Sequence, residues 1–110
     1  LMNLDGDLSA AGGVTFKRVS KSADYTVTNS DYFIGVNAGA ALKLTLPAAN
    51  TCRDGQNFVI KDEAGNASTY NIEISCSSGN TLDGAGNLIM SADHAAVNIY
   101  TNGSDKFFIY

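Results

Sequence analysis

Residues 42–76 read LKLTLPAANTCRDGQNFVIKDEAGNASTYNIEISC, and this stretch decides the fold class. Leu42, Leu44 and Leu46 alternate with Lys43 and Thr45, the period-two pattern of a strand with one buried and one wet face. Pro47 ends that strand, because a residue without an N–H cannot carry a central ladder onward. After the connection AANTCRDG, Phe58 and Ile60 share a face across Val59 and begin a second strand. The segment DEAGNAS is crowded with residues that tolerate left-handed geometry or bond back to their own backbone, so it reads as a hairpin connection. Tyr70, Ile72, Ile74 and Cys76 then alternate with Asn71, Glu73 and Ser75, giving the clearest amphipathic strand in the chain.

The same short period extends outward in both directions. Upstream, Val14–Val19 and Tyr25–Thr28 read as a strand pair joined by the polar SKSAD connection. Tyr32, Ile34 and Val36 alternate with Phe33 and Gly35, and the interior glycine points to a bulge or a close backbone approach. Residues 37–40 (NAGA) turn the chain into the strand of Leu42. Downstream, Leu88, Ile89 and Met90 read as a short buried run, and Val97 and Ile99 alternate with Asn98 and Tyr100. TNGSD, residues 101–105, carries the strongest hairpin signal in the sequence, an Asn-Gly pair, and Lys106–Tyr110 is its returning strand, tying the C-terminal residues into the sheet. DGAGN at 83–87 echoes DEAGN at 62–66, which reads as reuse of one turn in which glycine supplies a positive φ. The alternative, a pair of metal loops, lacks enough acidic oxygens in each copy.

No run has helical periodicity. About eight to ten short strands at close, turn-marked spacing imply an all-β domain, expected as a compact antiparallel β-sandwich or barrel-like fold. Residues 14–110 form this single domain. Residues 1–13, LMNLDGDLSAAGG, read as a linker or the end of an upstream fibrous repeat, with Asp5-Gly6-Asp7 as a glycine-containing turn rather than a calcium loop.

The order of motifs also resembles a module of bacteriophage tail fibres and tailspikes, shared with some structural proteins of large DNA viruses. The residues that carry the resemblance are Leu46, Pro47 and Ala48, then Gly55, Ile60, Lys61, Asp62, Gly65, Asn66, Ala67, Ile72 and Ile74. It extends more loosely from Tyr25 to Tyr110, through TLDGAGN and YTNGSDKFFIY, with Phe107 and Phe108 standing where the family often has a Trp. These are turn and core positions, so the resemblance implies a module type and transfers no catalytic residue. It implies a virion location after synthesis in the host cytoplasm, a homotrimer, and other fibre domains as neighbours.

Composition sets the outer bounds. A chain of 110 residues that is 45% hydrophobic and 16% charged is long enough to bury a core without disulfides or metals. A net charge of -4 argues against a nucleic-acid surface, which needs a basic patch. Lys17, Arg18 and Lys21 form one small cluster, read as a solvated strand face. No apolar stretch has the length of a membrane span, so no membrane insertion is expected. Cys52 and Cys76 are the only cysteines. A bridge between them would close a loop of about 25 residues and contribute roughly 3 kcal/mol, whereas the phase of Cys76 with Ile72 and Ile74 favours a buried thiol acting as a small hydrophobe.

Catalytic and metal signals are weak. His94 is the single histidine, beside Asp93 in a polar connection, and no Gly-x-Ser-x-Gly elbow accompanies it. The carboxylates lie mostly in turns, and short turns leave little room for a glycosidase groove with paired acids. The expectation is therefore a non-enzymatic protein with no cofactor and no metal: a tail-fibre or spike module that forms or caps a trimeric fibre and contributes to attachment to a host-surface glycan or protein receptor. The alternatives are a purely structural role, in trimerisation or capsid decoration, and a stand-alone carbohydrate-binding module. Sugar recognition combines an aromatic face with amide and carboxylate partners. Tyr100, Asn102 and Asp105 around the Asn-Gly hairpin supply such a set, as do Asn50, Arg53 and Asp54 in the long loop, although turn preferences alone also account for them.

Overall fold

Alternating apolar residues build ten short strands in the computed structural model, which describes residues 9–110. The Asp5-Gly6-Asp7 turn and most of the expected linker lie outside the described residues. The strands are β1 (Arg18–Lys21), β2 (Tyr25–Thr26), β3 (Phe33–Val36), β4 (Leu42–Thr45), β5 (Asn57–Asp62), β6 (Ile72–Ser75), β7 (Thr81–Leu82), β8 (Asn87–Met90), β9 (Ala96–Thr101) and β10 (Lys106–Ile109). One 3-10 turn, Ala49–Thr51, interrupts them. The all-β expectation holds. No helix among the described residues is long and apolar enough to cross a membrane.

The expected antiparallel arrangement does not hold, because the strands form two mixed sheets. One is six-stranded, in the order β1-β3-β5-β9-β10-β7, and the other four-stranded, β2-β4-β6-β8. The pairs β1–β3, β3–β5, β2–β4, β4–β6 and β7–β10 are parallel. Only β5–β9, β9–β10 and β6–β8 are antiparallel. The chain thus alternates between the sheets, laying β1 then β2, β3 then β4, and β5 then β6 as three successive coils. DEAGNAS, read as a hairpin, is in fact a crossing from one sheet to the other between β5 and β6, and SKSAD, read as the link within a strand pair, crosses likewise between β1 and β2. The Asn-Gly hairpin between β9 and β10 forms as expected.

Stacking coils in register aligns like side chains. On the inner face of the large sheet Val19, Ile34, Ile60 and Val97 form one row across four strands. On the inner face of the small sheet Leu42, Ile72 and Met90 form another, and Tyr25, Leu44, Ile74 and Leu88 a third. These rows meet between the sheets, in a core that also holds Phe58 and Phe107 with ring centroids 6.4 Å apart. Each coil can bury its apolar edge only against the next, as in solenoid proteins. Side-chain amides and carboxylates fasten the corners: Asp24 Oδ1 accepts from Lys43 N–H (2.8 Å), and Asn37 Nδ2 donates to Ser20 Oγ (3.1 Å).

One row is broken by a charge. Asp62 follows Val36 in the inner register and is buried, with 2% of its surface exposed. Its carboxylate accepts three backbone hydrogen bonds, from Gly65 (3.0 Å), Ala67 (2.9 Å) and His94 (3.0 Å). Burial pushes this carboxyl up, but the N–H groups, led by those of Ala67 and His94, outweigh it and hold the pKa below the usual aspartate value. Asp62 thereby bolts the β5–β6 connection to the β8–β9 connection.

Several local expectations change. Val14 and Phe16 are exposed and precede β1; Tyr70 is half-exposed, because β6 begins at Ile72; and Ile89 faces solvent while Met90 is buried. Gly35 makes no bulge. It pairs in regular register with Ser20 and Lys61, and its missing side chain admits the carboxyl of Glu63. Glu63 there accepts from Arg18 Nε (2.9 Å) and Asn37 Nδ2 (2.9 Å) and pairs with Arg18 Nη2. The Arg18 and Asn37 hydrogen bonds, with the guanidinium charge, hold its pKa down to about 2. Both cysteines are free thiols: Cys52 is buried and Cys76 packs at the margin of the core.

Candidate functional site

The two residue groups singled out in the sequence meet at one end of the large sheet. The loop 49–56 starts with the 3-10 turn that carries exposed Asn50 and continues through Arg53 and Asp54 into β5. The β9–β10 hairpin packs its tip on this loop. Gly55 N–H donates to Thr101 O (2.8 Å) and Thr101 N–H to Gln56 O (3.1 Å). Gly103 has a φ of +72°, and a Cβ added there would lie 2.7 Å from the Asp54 nitrogen. Only glycine permits both the turn and this approach.

Within the hairpin the predicted residues have structural work. Asn102 Oδ1 accepts from the N–H groups of Ser104 (2.9 Å), Asp105 (3.1 Å) and Lys106 (3.1 Å), while its Nδ2 donates to Asp105 Oδ1 (3.1 Å). That bond, and then the Lys106 charge, hold the Asp105 pKa below its ordinary value. Tyr100 stands apart from this polar tip, on the outer face of β9. It lies 5.2 Å from the Phe108 ring and 5.6 Å from the Tyr110 ring, in an aromatic cluster whose members Tyr100 and Tyr110 are 39% and 60% exposed. The Tyr110 hydroxyl bonds Asn57 Oδ1.

Arg53 belongs to a different feature. It borders an open groove of about 750 Å³ between the loop 49–56, the turn 28–31 and the segment before β1. Asn29 and Gln56 tie the walls together: Asn29 Nδ2 donates to Thr51 O (2.9 Å), and Gln56 Nε2 donates to Asn29 O. Gln56 Oε1 in turn accepts from Arg53 N–H (3.0 Å). On the opposite side Phe16 stacks on Tyr32, with ring centroids 4.4 Å apart and planes at 16°, and Phe33 closes on both rings edge-on.

At the base of the groove lies Asp31, whose side chain is 1% exposed. Its Oδ2 accepts from the Tyr25 hydroxyl (2.6 Å) and Thr28 N–H (3.0 Å). Oδ1 accepts no well-aligned hydrogen bond, although the half-exposed Lys17 ammonium stands 3.1 Å away. Burial pushes the Asp31 carboxyl up, but the Tyr25, Thr28 and Lys17 partners outweigh it and keep the pKa below the usual value. Asp31, Phe16, Tyr32 and Asn57 were not among the residues predicted. Their only sequence signal is the Thr-Asn-Ser-Asp turn at 28–31, whose terminal Asp bonds back to Thr28 N–H.

The chain can thus offer an aromatic face, fixed amides, two cations and one incompletely satisfied carboxylate around a single open groove. No protein-family model and no curated protein sequence matches the chain.

Proposed function

We propose that this chain is a non-enzymatic module of a viral tail fibre or spike, which forms or caps a trimeric shaft and contributes to attachment at the host surface. The observation that carries the reading is the asymmetry of the coil stack. At one end β1 and β2 are the edge strands of their sheets among the described residues, so a further coil could continue the parallel ladders there. At the other end β9 and β8 each run antiparallel to the last coil strand of their sheet and break the parallel ladders, with β10 and β7 completing the large sheet beyond β9. A solenoid needs such a terminating cap. The Lys17, Arg18 and Lys21 charges lie at the β1 edge, where they oppose indiscriminate strand addition.

Trimerisation has a physical rationale in the outer face of the large sheet. Phe33, Tyr100, Phe108 and Tyr110 lie on that face, with Phe16 beside Phe33. Exposed apolar surface of this kind is often an interaction site. The buried carboxylates support a non-enzymatic reading, since Asp62 is fully engaged by backbone donors and Asp31 is spent largely on Tyr25, Thr28 and Lys17.

The test is the molar mass in solution, by light scattering across a concentration series. A stable mass of three chains is the expected result. A single-chain mass at every concentration refutes the trimeric shaft for this chain. Combined with saccharide binding, it selects the stand-alone carbohydrate-binding module, a reading that the groove beside Arg53 also favours.

A further inference from the structure

We infer that the groove between Phe16, Asp31 and Arg53 is a binding site for an acidic saccharide, a pyranose bearing a carboxylate. The inference rests on the attachment reading above and assigns that role to a location and a ligand chemistry. Three observations combine.

The first is shape and surface. The groove, of about 750 Å³ and open to solvent, has room for one or two sugar rings. Phe16 is 48% exposed and lies flat on Tyr32. The supported ring offers its free face to the C–H side of a pyranose without ordering a mobile side chain on binding, which keeps the entropic cost low.

The second is charge. Lys17 and Arg53 bring two cations to the groove, and Asp31 is its one carboxylate, in a protein whose net charge is -4. Lys17 pairs with Asp31, whereas Arg53 has no carboxylate within ion-pairing distance among the described residues. A planar guanidinium held on a braced loop suits a carboxylate, which it binds through two parallel hydrogen bonds.

The third is the acceptor at the base of the groove. Asp31 Oδ1 is buried, and its one partner is the half-exposed Lys17 ammonium at 3.1 Å, without a well-aligned hydrogen bond. Buried acceptors in folded proteins normally hold well-aligned donors. A sugar hydroxyl entering beside Lys17 would donate to Oδ1, and the flexible ammonium would turn to the ligand. The groove amides complete the set: Asn29 and Asn57 line the rim, where they meet ring hydroxyls. A neutral sugar would use the aromatic face and the amides but leave Arg53 without its partner.

The experiment is a titration of the 15N-labelled protein, followed by amide chemical shifts. The probes are a panel of trisaccharides bearing uronic or sialic acids, together with the carboxyl-reduced counterpart of each. The expected result is that at least one acidic probe shifts amides confined to residues 15–17, 29–32 and 51–57. Its reduced counterpart should bind about tenfold more weakly or worse, a difference of about 1.4 kcal/mol. Arg53→Gln should remove that preference while leaving the weak neutral binding, and Phe16→Ala should abolish both. Both positions are exposed, and preserved spectral dispersion checks that each variant folds. The site is overturned if no probe shifts these residues, or if shifts gather at Tyr100 and Tyr110 instead. Equal binding of acidic and reduced probes overturns the carboxylate assignment.

Failure of this site and failure of the attachment reading separate cleanly. A protein that competes for host attachment without groove shifts loses the site alone. A protein with groove shifts that does not compete keeps the site and loses the attachment role.

Discussion

Removing the Asp62 carboxylate should be among the most damaging single changes in the protein, although no ligand and no catalytic step depends on it. Asp62→Ala leaves three backbone N–H groups without their acceptor. Each orphaned buried donor costs about 1–3 kcal/mol. The Ala67 donor is buried, since Ala67 is 1% exposed, and bears close to the full penalty, whereas water can reach the partly exposed Gly65 and His94 amides. The expected loss is therefore about 3 kcal/mol, against a total stability of about 5–15 kcal/mol for a domain of this size. Asp62→Asn keeps the shape and one acceptor but points an NH2 group at a backbone donor, and should cost roughly half as much.

Urea unfolding at neutral pH gives both numbers, and amide hydrogen exchange at Ala67 shows whether protection is lost where the bond was lost. The pH dependence fixes the mechanism. The Asp62 pKa in the folded protein lies below its ordinary value, so its stabilisation is complete above the ordinary carboxylate range and disappears as pH falls through the folded pKa. The gap between wild type and Asp62→Ala should close on acidification below about pH 4. A loss under about 1 kcal/mol, or a gap independent of pH, would refute the argument that a charge in the apolar row is held by its backbone donors.

Three further outcomes follow from the same geometry. Glu63→Gln should reduce stability at neutral pH but not at pH 2: the wild-type pKa is held down to about 2 from 4.5, so the contribution present above 4.5 fades as pH falls through 2, and parallel acid-unfolding curves of the two proteins would contradict this. Gly103→Ala should cost about 2 kcal/mol, from the positive φ and the close Asp54 nitrogen together, and should shift the Arg53 and Asp54 amides; thermal unfolding and an amide spectrum check both. Alkylation of the unreduced, denatured protein should modify both Cys52 and Cys76, and a mass showing neither modified would restore the disulfide.

Fold class was legible because side-chain alternation is a local property. Leu42/Leu44, Phe58/Ile60, Ile72/Ile74 and Val97/Ile99 each declare a strand and its buried face through period two, whatever strand lies beside them. The Asn-Gly turn was equally legible, since its backbone geometry is set within five residues. Of the site, Arg53 was found in its loop, but Phe16, Asp31 and Tyr32 were not grouped with it, because the sequence assigns Phe16 and Tyr32 to strands and Asp31 to a turn without saying which loop lies beside them.

Sequence by itself therefore determined the all-β class, most inward-facing residues and the Asn-Gly hairpin. Tertiary structure alone decided the partners. A strand with one apolar face pairs as well in parallel as in antiparallel, and the choice at SKSAD and DEAGNAS depended on whether each chain reversal returned to the same sheet or crossed to the other. Crossing allowed Val19, Ile34 and Ile60 to stack in one row, a gain visible only when three coils are assembled. The same assembly carried Asp62 into the core beside Val36, where burial without donors would be prohibitive, and supplied those donors from residues up to His94. It also folded residues 16, 31 and 53 around a common groove, because neighbours in a coil stack are set by register and not by distance along the chain.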